Sequence, residues 1–342
     1  LGADLYLGPI YTWGTIGGRT DFYMWKPVFL DYSYNFAVRN FRHGSFGNIT
    51  KIDNTRQVKN SESFFSVAAG MPLAHRGVFL IRANGGHVNY RYDSDELFAD
   101  DTDHSRYSFF GIKAELARNT LDKFLYPRRG SDLKLSGIFV TGRDKYEPFD
   151  AEKFLSRTSR QWVGARLTWD KYFDMPGCSW FSLGLNVDGV ITNHPEFTTE
   201  GATVMSMPAY EPVPHAQMIY MPDFRGKRFA AGGVMPTFDL MPNFFLRTGF
   251  YAMFREKRSF VPGVSGPVED KRWHYIAEAS LVYHTPIGPV SLAPDQIRPA
   301  QLEEHVPDVQ FRVRDLRAQG DVLLACRGAG RIIFSVIGIT LF

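Results

Sequence analysis

Residues 243–255 read Asn-Phe-Phe-Leu-Arg-Thr-Gly-Phe-Tyr-Ala-Met-Phe-Arg. The even positions, Phe244, Leu246, Thr248, Phe250, Ala252 and Phe254, are apolar or small, while the odd positions between them include Arg247, Gly249, Tyr251 and Arg255. Side chains alternate faces along a strand, so this period of two predicts a strand with one apolar and one polar face. The pattern returns at 273–284, where Trp273, Tyr275, Ala277, Ala279, Leu281 and Tyr283 share one side and His274, Glu278, Ser280 and His284 the other. Both strands are long and carry aromatics at the ends of the apolar face. Strands of roughly ten residues with aromatic rims are what a tilted segment needs to cross the hydrocarbon layer of an outer membrane.

The composition separates this reading from two others. A soluble sandwich also alternates, but its strands are usually about half this length. A helical membrane protein needs unbroken apolar runs of about twenty residues, and even 332–342 is too short for one. The chain has 342 residues, of which 29 are Phe, 16 Tyr and 6 Trp, yet its mean hydropathy is only −0.21. A barrel wall needs only every second residue apolar, so abundant aromatics with modest hydropathy is its expected composition.

Working outward from that pair, further strands are predicted at 3–11, 20–25, 28–41, 61–69, 78–91, 107–118, 131–141, 160–173, 179–191, 229–235, 289–293 and 331–342, with the glycine-rich 14–19 as a turn. The total is about fourteen, with short turns on one side and long loops on the other, as in an antiparallel barrel. The fold class is therefore all-β, a transmembrane antiparallel β-barrel occupying 1–342. Residues 192–228 form the longest irregular stretch, and a loop of that length is usually functional.

The net charge of +3 is spread thinly, with no Lys/Arg stripe, so no nucleic-acid function is read from it. Cys178 and Cys326 are the only cysteines, too few for a disulfide framework or a cysteine-rich metal site. Asp93, Asp95, Glu96, Asp100, Asp101 and Asp103 cluster at 92–106, but without the spacing of a dedicated calcium loop they read as a solvated surface loop. His215, His274 and His284 show no metal-ligand spacing, so neither metal nor cofactor is expected. Residues 1–8 read as strand, with no basic start and no small-residue cleavage site, which leads us to expect a longer precursor.

The turn and strand Thr285-Pro286-Ile-Gly288-Pro289-Val-Ser-Leu292, a terminal strand closing on Phe342, and Arg225-Gly226 in the long loop resemble the sixteen-stranded barrels of the outer-membrane insertase and two-partner-secretion superfamily. More narrowly, Asn119-Thr-Leu-Asp-Lys-Phe-Leu-Tyr-Pro-Arg-Arg-Gly130 and 220–251 look like the C-terminal barrel of bacterial patatin-like phospholipases, of surface-antigen type. The resemblance covers most of 3–293. It implies placement in the outer membrane of a Gram-negative cell, and an upstream domain that the barrel anchors and helps to translocate. It also implies assembly through the terminal strand, with Phe342 as its signal to the barrel-assembly machinery. In that superfamily the loop before the twelfth strand folds into the lumen and its arginine meets the wall. Arg225 and Gly226 are the matching residues. The family's wall aspartate has no counterpart within 248–253, which leaves Glu278, inward by parity, as a candidate partner. Two other functions remain open: a freestanding insertase or transporter with periplasmic docking domains, and a passive porin.

A patatin esterase needs a Gly-x-Ser-x-Gly elbow, in which a sharp turn exposes the serine, and a catalytic Asp-Gly pair. No serine here has that setting: Gly263-Val-Ser265-Gly266 has the wrong spacing, and Asp188-Gly189 falls inside a wall strand. No catalytic residue is therefore assigned to this chain, although the resemblance implies lipid acyl hydrolysis for a full-length parent.

The pattern fails over 294–330. Glu303, Glu304, Arg312, Arg314, Asp315 and Arg317 stand where wall residues should alternate, and each charge facing lipid near the midplane costs a few kcal/mol. The expectation is a polar, poorly ordered segment, from an insertion or a change of reading frame, with the penultimate strand ending soon after Ala293.

Overall fold

The structure is a computed structural model that describes residues 2–7, 11–23, 27–42, 57–74, 76–93, 102–123, 126–147, 156–175, 177–178, 180–198, 200–213, 221–259, 268–284, 289–293, 295–299 and 335–336. The strands are β1 (Gly2–Leu7), β2 (Tyr11–Tyr23), β3 (Pro27–Arg42), β4 (Gln57–Leu73), β5 (Gly77–Asp93), β6 (Thr102–Asn119), β7 (Gly130–Glu147), β8 (Ser156–Asp174) and β9 (Phe181–Thr192), then β10 (Arg228–Met241), β11 (Phe244–Ser259), β12 (Val268–His284), β13 (Pro289–Ala293), β14 (Asp295–Pro299) and β15 (Ser335–Val336). One short helix, α1 (Glu200–Ser206), and a 3-10 turn at Pro222–Phe224 lie between β9 and β10. All strands join one antiparallel sheet in sequence order from β1 to β13 and then β15, with β14 also on β12. This is the all-β transmembrane barrel wall read from the period of two.

The two faces divide as the alternation requires. On β11 and β12, Phe250, Phe254, Trp273, Tyr275 and Tyr283 are exposed, whereas Tyr251, Met253, Arg255, His274, Ile276, Glu278 and Val282 are buried. Phe65, Ile81, Phe110, Ile112, Leu135, Phe139 and Val163 carry the same outward apolar band across β4 to β8. An apolar surface this extensive is what hydrocarbon covers in a membrane wall.

The strands run past the predicted ends, mostly on the long-loop side. β4 to β8 have 17 to 19 residues each, which at about 3.3 Å per residue and a tilt near 40° gives ~43 Å of height, against an apolar band of ~25 Å. Above the band the outward side chains turn polar: Ser63 Oγ lies 3.3 Å from His87 Nε2, and Asn89 Nδ2 donates to Ser61 Oγ at 3.4 Å. Backbone pairing continues there although the apolar alternation that advertises a wall strand has ended. The residues assigned to loops at 92–106 and 142–159 therefore shrink, because Asp93, Asp103 and 142–147 belong to strands.

Three other expectations are corrected. The glycines of 14–19 do not turn; they lie within β2, where Gly14 sits under the Phe36 ring and Gly18 under Tyr32 of β3, so they mark close approach between strands. The strand at 229–235 continues to Met241 through Pro236, and the ladder to β11 skips from Val234↔Phe250 to Thr237↔Arg247 at that proline, which has no N–H to give. The penultimate strand, expected to end soon after Ala293, has a continuation to Pro299: β13 pairs with Leu281–His284, and β14 takes up the same edge of β12, Asp295 opposite Glu278 and Pro299 opposite His274. A backbone ladder asks nothing of side-chain polarity, so the charged composition concealed it. Residues 300–334 lie outside the described residues.

Candidate functional site: the lumen loop and its wall contacts

The inward side chains of β5 to β12 enclose residues 193–213 and 221–227. Two apolar clusters seat this loop. Near the long-loop end, Phe197, Ala202, Val204 and Met205 pack on Tyr90 of β5, Tyr107 of β6 and Val140 of β7. Deeper, Tyr210, Val213, Met221 and Phe224 pack on Val190, Phe229, Met235, Tyr251, Met253 and Ile276 of β9 to β12. Within the loop, Ala209 and Arg225 form a β-bridge, with Tyr210 N donating to Phe224 O at 2.9 Å and Gly226 N to Pro208 O at 3.1 Å.

Polar anchors then fix its register. Asp144 of β7, fully buried, accepts from Thr198 N at 3.1 Å and Thr198 Oγ1 at 3.0 Å. Arg166 of β8 binds both oxygens of Asp188 on β9, at 3.1 and 2.5 Å, and donates to Ala209 O at 3.2 Å. Tyr210 OH donates to Asn186 Oδ1 at 2.7 Å. Arg255 of β11, with 2% of its side chain exposed, spans three partners at 3.0 Å: Asp223 Oδ1, Arg225 O and His274 Nε2. A planar guanidinium with a fixed fork of donors suits this triple contact; an ammonium does not.

Arg225 and Gly226 are both buried between loop and wall. The Arg225 guanidinium donates to Met205 O at 2.8 Å and Met207 O at 3.3 Å, and its charge partner is Glu211 at 3.5 Å. These are loop groups, so Arg225 folds the loop onto itself while its carbonyl is held by the wall. Glu278 faces the lumen but accepts from Tyr251 OH at 3.0 Å rather than from Arg225. The Tyr251 ring lies across Gly233 and Gly249, where a Cβ would collide with it. The cation reaching from the wall is Arg255, a residue visible as polar in the alternation but not singled out there. Asp223, Arg166 and Asp144 were also missed, because their partners are 32, 43 and 54 residues away.

His194 packs beside Trp162 and Phe197, with ring centres 4.5 and 5.4 Å away. Burial there lowers its pKa from 6.5 to about 4, and Lys227 adds to the effect. Burial also raises the Tyr210 hydroxyl well above its ordinary range.

The short-turn end carries a second closure. In 119–130, Asp122 Oδ1 accepts from Arg128 N and Arg129 N at 3.0 and 3.2 Å, and Gly130 adopts φ +100° where a Cβ would meet the Thr120 carbonyl. The turn reaches sideways beneath the wall: Arg129 pairs with Asp174 of β8, Arg128 with Asp239 of β10 at 2.6 Å, and the Tyr126 ring meets Phe245 at 5.7 Å. Arg247 lies 5.6 Å from the Tyr126 ring centre and 5.8 Å from that of Tyr172.

Pro289 opens β13 opposite His284, and His284 lies 5.4 Å from the Phe245 ring. Pro286, Gly288, Phe342, His215, Cys326 and 263–266 lie outside the described residues. Asp188, the acid of the Asp-Gly pair, is bound by Arg166. Among the described residues no group of three or more His, Cys, Asp or Glu could hold a metal ion.

No family model and no curated protein matches the chain. Among solved structures it is similar to the crystal structure of BamA from Haemophilus ducreyi lacking POTRA domains 1–3, with a TM-score of 0.54 and 12% identity, over 84% of this chain and 59% of that one. What the two share is the fold, an antiparallel β-barrel wall.

Proposed function

We propose that this chain is an outer-membrane anchor barrel with a self-plugged lumen, which holds, and helps to translocate, an upstream domain of patatin-like phospholipase type. The observation that carries the reading is the loop segments 193–198, 200–213 and 221–227, seated on two apolar clusters and tied to the wall by Arg255, Arg166 and Asp144. A barrel built as a passive porin keeps an open polar lumen, whereas this one holds a loop there on Tyr90, Tyr107, Tyr251 and Arg255 of its inward face. The patatin-like passenger rests on the resemblance of 119–130 and 220–251; assembly through the terminal strand and Phe342 rests on the same resemblance. A freestanding insertase or transporter is the second reading, favoured by the likeness to the BamA barrel.

Two measurements decide. The folded protein should run faster on gels before boiling than after, insert into phosphatidylcholine vesicles, and conduct ions poorly in planar bilayers. Steady large-conductance openings of the unaltered chain would return the porin reading. The polypeptide encoded upstream of Leu1 separates the other two: a hydrolase domain supports the anchor, and tandem docking domains support the insertase.

A further inference from the structure

The outward face of β4 to β8 changes chemistry just above the apolar band. One row of directly paired residues runs Ser61↔Asn89, Asn89↔Arg106, Arg106↔Lys145 and Lys145↔Arg157. The next row toward the long loops runs Lys59↔Arg91, Arg91↔His104 and His104↔Glu147, and the row below contributes Arg143, paired with Ser108 and Ser159. Paired positions share a face. The parity of these rows is that of Phe65, Ile81, Phe110, Phe139 and Val163, all exposed, so the rows face outward too. Six cations, Lys59, Arg91, Arg106, Arg143, Lys145 and Arg157, thus stand together on the outside of five adjacent strands. Among the described side chains there, one acid, Glu147, accompanies them, bound by Lys145. In the same two lower rows Ser61, Ser63, His87, Asn89 and Ser108 add hydrogen-bonding groups beside the cations. Among the described side chains at the same end of β10 to β12, Arg228 is offset by Glu256 at 3.8 Å, beside Phe254 and Trp273.

We propose that this outward basic field on β4 to β8 binds the phosphate groups of a multiply phosphorylated glycolipid headgroup in the leaflet on the long-loop side. The inference rests on the membrane reading above and goes beyond it. Six like charges on one patch repel one another and demand counter-charge. Their height selects the source: the patch begins where the apolar band ends, which is the level of lipid headgroups, and each cation near an anionic lipid surface gains from it. Fork-shaped Arg donors, four of the six, suit phosphate oxygens, and the neutral hydroxyl and amide groups beside them suit sugar hydroxyls.

The test uses the full chain folded in neutral detergent, with a diphosphorylated glucosamine-based glycolipid, its dephosphorylated form and phosphatidylcholine as probes, bound lipid being quantified on the isolated protein. The diphosphorylated lipid should bind at least about tenfold more tightly than either of the others, and inorganic pyrophosphate or high salt should weaken it. The combined variant Arg91→Ser, Arg106→Ser, Arg143→Ser, Lys145→Ser should lose that preference while Arg228→Ser keeps it. Equal binding of the phosphorylated and dephosphorylated lipids, or a folded quadruple variant that retains the preference, overturns the proposal. If the quadruple variant does not fold, the pyrophosphate and salt titrations on the unaltered chain decide alone. Insertion into phosphatidylcholine vesicles is scored in parallel: a protein that inserts but ignores phosphate refutes the headgroup site and leaves the barrel standing.

Discussion

The inside of the wall differs from one half to the other although the outward apolar band runs across both. On β2 and β3 the inward groups satisfy each other: Thr15 Oγ1 donates to Asn35 Oδ1 at 2.8 Å, Asn35 Nδ2 to Ser33 Oγ at 2.9 Å, and Arg19 lies against Phe29 between Asp21 and Asp31. On β7 to β11 the inward groups spend their bonding capacity on the loop: Asp144, Arg166, Asn186 and Arg255 all reach it. The outward alternation therefore reports only that a strand crosses a membrane. The inward residues determine which half is committed to the plug.

The contrast is sharpest at the two arginines. Arg255→Ala leaves Asp223, His274 and the Arg225 carbonyl without their shared donor, and removing one member of a buried charged network costs roughly 3–5 kcal/mol. The expected result is a loop newly open to protease, with raised bilayer conductance, in a barrel that still shifts on boiling. If protease access did not change, the wall anchor would be dispensable and the two halves equivalent.

Acid should act on the same half. His194 is neutral in its buried site, with a pKa lowered to about 4, whereas in the released loop it takes a proton near 6.5. Its contribution to seating is complete above pH 6.5, falls as the pH drops through that window, and is flat below about 4; the limit is on the order of 3 kcal/mol. Protease access should rise between pH 6.5 and 5 in the parent chain and stay level in His194→Phe. An identical pH profile for the two would assign the effect to other groups.

Asp144→Ala removes the acceptor for two Thr198 donors and should weaken the seat of α1 by about 1–3 kcal/mol, read as partial cleavage within 193–206. Arg19→Ala is the smallest change and the control for the other half. Its ion pairs are about half exposed, so less than about 1 kcal/mol is at stake, and neither loop access nor conductance should move.

Much of the fold was legible because its signal is local. The faces of β11 and β12 follow from residues two apart, and the short turns follow from Pro and Gly. The strand extensions above the band were not legible, because the outward side chains there turn polar and the apolar alternation stops while the ladder goes on. Glycines in β2 read as a turn because the rings that cover them, Phe36 and Tyr32, belong to the next strand. At the site, parity gave the inward direction of Glu278 and the resemblance of the long loop pointed to Arg225. Who pairs with whom was set by geometry across tens of residues: Tyr251 takes Glu278, and Arg255 takes the role expected of Arg225.

The position of Arg255 also orders events in time. It lies in β11, downstream of the loop it holds, whereas Asp144, Arg166 and Asn186 lie upstream. A chain that adds strands in sequence can place the upstream contacts as soon as β9 is paired, but the Arg255 fork exists only after β10 and β11 have joined. Contacts between distant segments form late because the intervening chain must first be closed. In a chain assembled in that order β1 to β9 come together around a lumen whose fastening is incomplete, and the Arg255 lock closes only once β12 has brought His274 beside β11.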